Sequence, residues 1–169
     1  MKFNYFHWAK VLDKDEIKKV VNICESNVDS LGDLRYPPKH GEELTSKTAK
    51  VTCTQWKYLS KILGGLLLNW EIINQYEFGY NLYPILERAL LNYNVYDSSN
   101  SGEYDFHIDA SLNEVSDIKL TAMINLSEEY YEGGDFILFH AGKFRKISPS
   151  LFSWLSSPPR NGCRTLRND

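Results

Sequence analysis

The sequence predicts an α+β fold, with helices concentrated in the first half of the chain and strands in the second. Two observations carry this. After Asp13, the apolar residues Ile17, Val20, Val21 and Cys24 recur at the i, i+3, i+4, i+7 spacing of one helix face. From Tyr76 onward the chain changes to aromatic and β-branched runs separated by turn residues, the composition of strands. The 169 residues, 43% of them apolar, are about the length of one domain, and 1–169 reads as one.

Taken in order, Asp13 is a suitable N-cap with acidic residues in the turn that follows, so the first element is a helix. Residues 29–48 are polar, carry Pro37 and Pro38, and read as a long loop. Residues 56–74 read as a second helix, interrupted at Gly64-Gly65, because two glycines in mid-helix each disfavour it. Strands are expected within 82–96, 104–108, 118–126 and 135–139. In the third of these, Ile118, Leu120, Ala122, Ile124 and Leu126 alternate with more polar neighbours, as in a strand packed on one face. The chain thus divides into a helical segment over residues 1–75, a β core over 76–153 and an atypical tail over 154–169 rich in Ser, Pro, Arg and Asn.

Composition excludes several classes of function. A net charge of -3 and a pI near 5.8 give no basic footprint for a phosphate backbone, so nucleic acid is not an expected partner. The most apolar run, residues 62–70, is too short to cross a bilayer, and the N-terminus lacks a signal-peptide core, so a cytoplasmic protein is expected. Cys24, Cys53 and Cys163 are odd in number and far apart, which fits buried thiols better than a disulfide framework or a CxxC metal site.

The chemistry concentrates in residues 102–110, Gly-Glu-Tyr-Asp-Phe-His-Ile-Asp-Ala. His107 and Asp109 lie two apart, and on a strand a period of two puts both side chains on one face. An imidazole and a carboxylate so placed are two of the three donors of a facial triad that holds iron(II) and leaves positions open. His-x-Asp is common by chance, and what distinguishes this one is its surroundings. Tyr96, Gly102 and Tyr104 precede it, and residues 119–127 and the run Tyr131-Glu-Gly-Gly-Asp-Phe136 follow. In this order, over roughly residues 76–139, the chain resembles the iron(II)- and 2-oxoglutarate-dependent dioxygenases of the prolyl 4-hydroxylase type.

The resemblance implies a double-stranded β-helix, or jelly roll, with the N-terminal helices packed on one sheet. It implies His107 and Asp109 as metal ligands, Tyr104 in the 2-oxoglutarate pocket, and Tyr96 as a further residue of that pocket whose alternative role is strand packing. The cofactors implied are Fe(II) and 2-oxoglutarate, with ascorbate as a further candidate. The substrate would be a peptide, a protein or a small molecule, and the reaction hydroxylation of a C–H bond on a prolyl or other peptide side chain. Gly133-Gly134 has a reading of its own: paired glycines opening a strand permit backbone conformations barred to other residues. His140 comes too early for the distal ligand, while His7 and His40 read as surface or packing residues. The loop 29–48 is a candidate lid.

The family pattern then breaks. No His follows position 140, and no basic residue stands in order for the far carboxylate of 2-oxoglutarate; Arg160, Arg164 and Arg167 lie in the atypical tail. One permitted set of codons for residues 154–163, read one base later, encodes Gly-Phe-Leu-His-His-Arg-Val-Thr-Gly, close to the missing distal-His segment. The tail is therefore expected to be an out-of-frame reading, the competing explanations being a divergent C-terminus and a naturally degenerate enzyme, with incomplete C-terminal strands and impaired activity as consequences. The rival readings are a non-catalytic jelly-roll binding module and a cupin-like metal enzyme that does not use 2-oxoglutarate.

Overall fold

The computed structural model describes residues 5–27, 50–87, 89–96, 119–129, 131–140, 143–147 and 152–156. It is an α+β arrangement of two helices and small antiparallel sheets. Strand β1 (Tyr5–Ala9) leads into helix α1 (Lys14–Ser26), then β2 (Lys50–Gln55), helix α2 (Trp56–Ile73) and a π-turn (Asn74–Phe78). Strands β3 (Leu90–Val95), β4 (Thr121–Ile124), β5 (Phe136–His140), β6 (Lys143–Ile147) and β7 (Phe152–Ser156) follow.

Helix α1 starts where the sequence places it. Asp13 Oδ1 accepts from the Glu16 backbone N–H at 2.8 Å, and Glu16 Oε2 accepts from the Asp13 backbone N–H at 2.9 Å, closing a capping box. Its inner face is Ile17, Val20 and Cys24. These meet Trp56, Leu59 and Leu63 of α2 in the main core, where each fully buried large side chain contributes about 1.5–3 kcal/mol. Helix α2 is continuous through Gly64-Gly65. The burial of Leu59, Leu63 and Leu66 on one stripe outweighs the helix penalty of roughly 1 kcal/mol per glycine.

The helical half also contains two strands, β1 and β2, and the strand expected over 82–96 is confined to Leu90–Val95. Residues 80–87 form instead an extended strap along α2. Asn74 holds its start, donating from Nδ2 to the Tyr80 carbonyl at 2.8 Å and accepting the Tyr80 N–H at 3.1 Å. At its end, the Lys57 and Trp56 N–H groups donate to the Glu87 and Ala89 carbonyls. The strap thus supplies acceptors for the first turn of a helix whose N-cap, Gln55, makes no side-chain cap bond. Eight extended residues reach about 26 Å, which matches the roughly 27 Å of an eighteen-residue helix.

The first residues of the tail, 154–156, also belong to a strand. Strand β7 runs to Ser156 and lies between β1 and β4, antiparallel to both, so Trp154 pairs with His7 on one side and Met123 on the other. Pairing on both edges overrides weak local strand propensity. Register places Phe6, Trp8 and Ile124 on one face of this sheet and Tyr5, His7 and Met123 on the other. Phe6 meets Phe78 edge to face at 5.9 Å and Ile124 joins the helical core, so the first face is the helix side. On the opposite face, Tyr5 and Met123 gather with Phe136 and Leu138 of β5 in a second apolar cluster. The order of layers is helices, sheet, and the β5–β6 hairpin, which the Lys146–Asp135 ion pair at 2.6 Å clasps.

Candidate functional site

The strands that flank the predicted metal ligands belong to this layered arrangement. In the β2–β3 ribbon, Cys53 faces Asn92, and its Sγ donates to Asn92 Oδ1 at 3.3 Å. Thr52 and Lys50 face Tyr93 and Val95, while Leu91 and Tyr93 pack on the helical core. The alternation of β3 therefore sends Leu91, Tyr93 and Val95 toward the helices and Asn92 and Asn94 away from them. Tyr96 follows directly after β3 and is exposed.

Residues 97–118 come next in the chain. His107, Asp109 and Tyr104 lie outside the described residues, as do the loop 29–48, His40, Cys163 and Arg160, Arg164 and Arg167. Among the described residues no group of three or more His, Cys, Asp or Glu side chains is placed to hold a metal ion. His7 is exposed on β1, and His140 ends β5, paired in register with Lys143. Cys24 and Cys53 are buried free thiols, in keeping with the expectation for them. Among the described residues no helix is long and apolar enough to cross a membrane.

On the other side of the site region, the turn between β4 and β5 is built as its sequence requires. Gly133 and Gly134 both take positive φ, +77° and +59°. Their conformation favours glycine, and a Cβ on Gly134 would also press on the Tyr131 ring, 3.3 Å from Cε2. Asn125 Nδ2 donates to the Tyr131 hydroxyl at 2.9 Å and Asn125 Oδ1 accepts the Ser127 N–H at 3.0 Å. These bonds fix the chain between β4 and β5, and Lys18 of α1 reaches Glu128 in the same turn at 3.8 Å.

Sequence reasoning missed a pocket of about 250 Å³ on the helix side of the ribbon, lined by Glu25, Lys50, Thr52, Tyr93 and Val95. Desolvation raises the Tyr93 phenol above its ordinary range, and the charges of Glu25 and Cys24 add to the shift. The Cys24 thiol is also raised, by burial first and by Glu25 last, against a lowering hydrogen bond from Thr54. The alternation of β3 pointed Tyr93 inward; nothing local in the sequence brought Glu25, at the end of α1, to meet it. Comparisons with protein-family models, curated proteins and solved structures gave no match to this chain.

Proposed function

We propose that this chain is built as an iron(II)- and 2-oxoglutarate-dependent oxygenase of jelly-roll type, hydroxylating a C–H bond on a prolyl or other peptide side chain, and that the 169 residues as they stand turn over weakly. The observation that carries this reading is the order Tyr96, Gly102, Tyr104, His107, Asp109, followed by Gly133-Gly134-Asp135-Phe136. Three features of the structure support it. Helices cover one face of the sheet and a hairpin the other, as a helix-backed jelly roll requires. Tyr96 stands exposed directly after β3, open to a bound molecule. The glycine pair that opens this part of the pattern adopts left-handed conformations that other residues rarely take.

Imidazole and carboxylate are donors that iron(II) accepts, but His107 and Asp109 are two where a facial triad has three. The donor set is incomplete for a firmly held metal. In the corrected reading frame the first His would stand at the position of Ser157, directly after β7, the strand that runs between β1 and β4. A bound metal with 2-oxoglutarate supplies the activation of O2; the protein supplies position and a dry cavity.

The test pairs the chain as written with a version repaired in frame from residue 154. Succinate release from 2-oxoglutarate, with Fe(II) and proline-containing peptides, should be weak in the first, restored in the second, and lost in its His107→Ala and Asp109→Ala variants. A repaired protein that makes no succinate would point to a binding module. Turnover without consumption of 2-oxoglutarate would point to a cupin-like enzyme.

A further inference from the structure

The pocket of about 250 Å³ on the helix side of the β2–β3 ribbon contains none of the residues assigned to the oxygenase site. Its floor is one face of the ribbon. Lys50 and Thr52 are two apart on β2 and stand opposite Val95 and Tyr93 of β3, so the four side chains form two rungs on one face, about 7 Å apart along the strands. Glu25, in the last turn of α1, lines the same space. The pocket therefore offers a carboxylate, an ammonium, two hydroxyls and an apolar wall. Among the described residues neither Glu25 nor Lys50 has an ion-pair partner, and the hydroxyls of Thr52 and Tyr93 make no hydrogen bond. Two opposite charges thus share one cavity without pairing across it. Glu25 also stands against a local rule. The last turn of a helix carries partial negative charge and favours a base, yet α1 has no basic residue there and ends on this acid and Ser26. Its field acts inward, adding to the upward shifts of Tyr93 and Cys24. Residues that break a local rule concentrate at functional positions.

We propose that this pocket binds a free amino acid with an apolar side chain, its ammonium held by Glu25, its carboxylate by Lys50 and the Thr52 hydroxyl, and its side chain against Val95 and the Tyr93 ring. Charge selects this class. A simple anion would meet the unpaired Glu25 and the negative end of α1, and a simple cation would meet Lys50. A zwitterion satisfies both. Size agrees: at about 30 Å³ per water the pocket has room for roughly eight waters. It falls below the range of about 300–1,000 Å³ typical of drug-sized sites, which suits a ligand of amino-acid size and is too small for a nucleotide. Glu25 and Lys50 are both exposed, so each charge adds modestly and affinity in the millimolar range is expected. The pocket is separate from the proposed oxygenase site, and its test does not depend on that activity.

The measurement is a titration of the full chain with L-leucine, followed by heteronuclear NMR at the backbone amides of Thr52, Tyr93 and Val95. Two half-ligands accompany it: isoamylamine, which is leucine without the carboxylate, and isocaproate, which is leucine without the ammonium. The three amides should shift together and saturate with leucine, and each half-ligand should bind about fivefold more weakly. Glu25→Gln should weaken leucine and isoamylamine by about the same factor and leave isocaproate unharmed, whereas Lys50→Met should weaken leucine and isocaproate and spare the amine. Both positions are exposed, so neither change threatens the fold, and Glu25→Gln should raise the urea midpoint because it removes an acid from the negative end of α1. Absence of a saturable shift with leucine, half-ligands that bind as tightly as leucine, or leucine binding indifferent to both substitutions would overturn the proposal.

Discussion

Thr54 is fully buried, and its hydroxyl lies 3.4 Å from two carbonyl oxygens at the end of α1, those of Cys24 and Asn27. Helix α1 has no basic residue in its last turn, so β2 supplies a donor there through this one side chain. Thr54→Val keeps the shape and removes the donor. A single proton serves one carbonyl at a time, and both distances are long, so the bond itself is worth about 1 kcal/mol; leaving a buried carbonyl unsatisfied raises the expected loss to roughly 1.5 kcal/mol. For a chain of this length that is a fall in Tm of about 3–6 °C, read by urea or thermal unfolding with tryptophan fluorescence. A second readout tests the same hydroxyl. Thr54 lowers the Cys24 thiol against the upward push of burial, so the valine variant should titrate that thiol later, by thiolate absorbance, whereas Thr54→Ser should not. A valine variant that is as stable as the parent and leaves the thiol titration unmoved would refute this account of the α1–β2 junction.

Gly134→Ala combines a positive φ with a Cβ 3.3 Å from the Tyr131 ring, and should destabilise by about 1–3 kcal/mol in urea unfolding, more than Gly64→Ala, which meets nothing and should stabilise α2. Asn74→Ala removes both bonds that hold the start of the strap; protease sensitivity within residues 80–87 should rise while α1 stays protected in hydrogen exchange. Cys24 and Tyr93 both have folded-state values above their ordinary 9.0 and 10.0, so the unfolded chain releases these protons first as pH rises. Their contribution is complete below about pH 9 and is lost as pH climbs through the raised folded values, and Tyr93→Phe should flatten the upper end of that decline in urea midpoints.

Some of this molecule is written in short stretches of its sequence. The capping box at Asp13 and Glu16, the inner face of α1, and the left-handed glycines 133 and 134 need only their neighbours in the chain, and each stands where local rules put it. The overall α+β character follows from the same local rules. The strands of the helical half were less legible. Residues 5–9 are aromatic without alternation, and they become a strand through pairing with residues 152–156, far along the chain. The continuity of α2 across two glycines likewise depends on the packing of Leu59, Leu63 and Leu66, which local propensity does not contain. The candidate metal ligands were legible from spacing and order alone, and they lie outside the described residues.

By itself, then, the sequence determined helix α1 through periodicity and a cap, where the chain must turn through glycine, and which side chains carry the proposed chemistry. Only the tertiary structure decided that β7 lies between β1 and β4, that residues 80–87 form a strap rather than a strand, that Tyr93 meets Glu25, and that α2 leaves Leu68 and Ile72 exposed. Caps and turns are contacts between residues a few positions apart. Sheet order and exposure depend on contacts between distant segments, whose free energy is set by what else competes for the same surface.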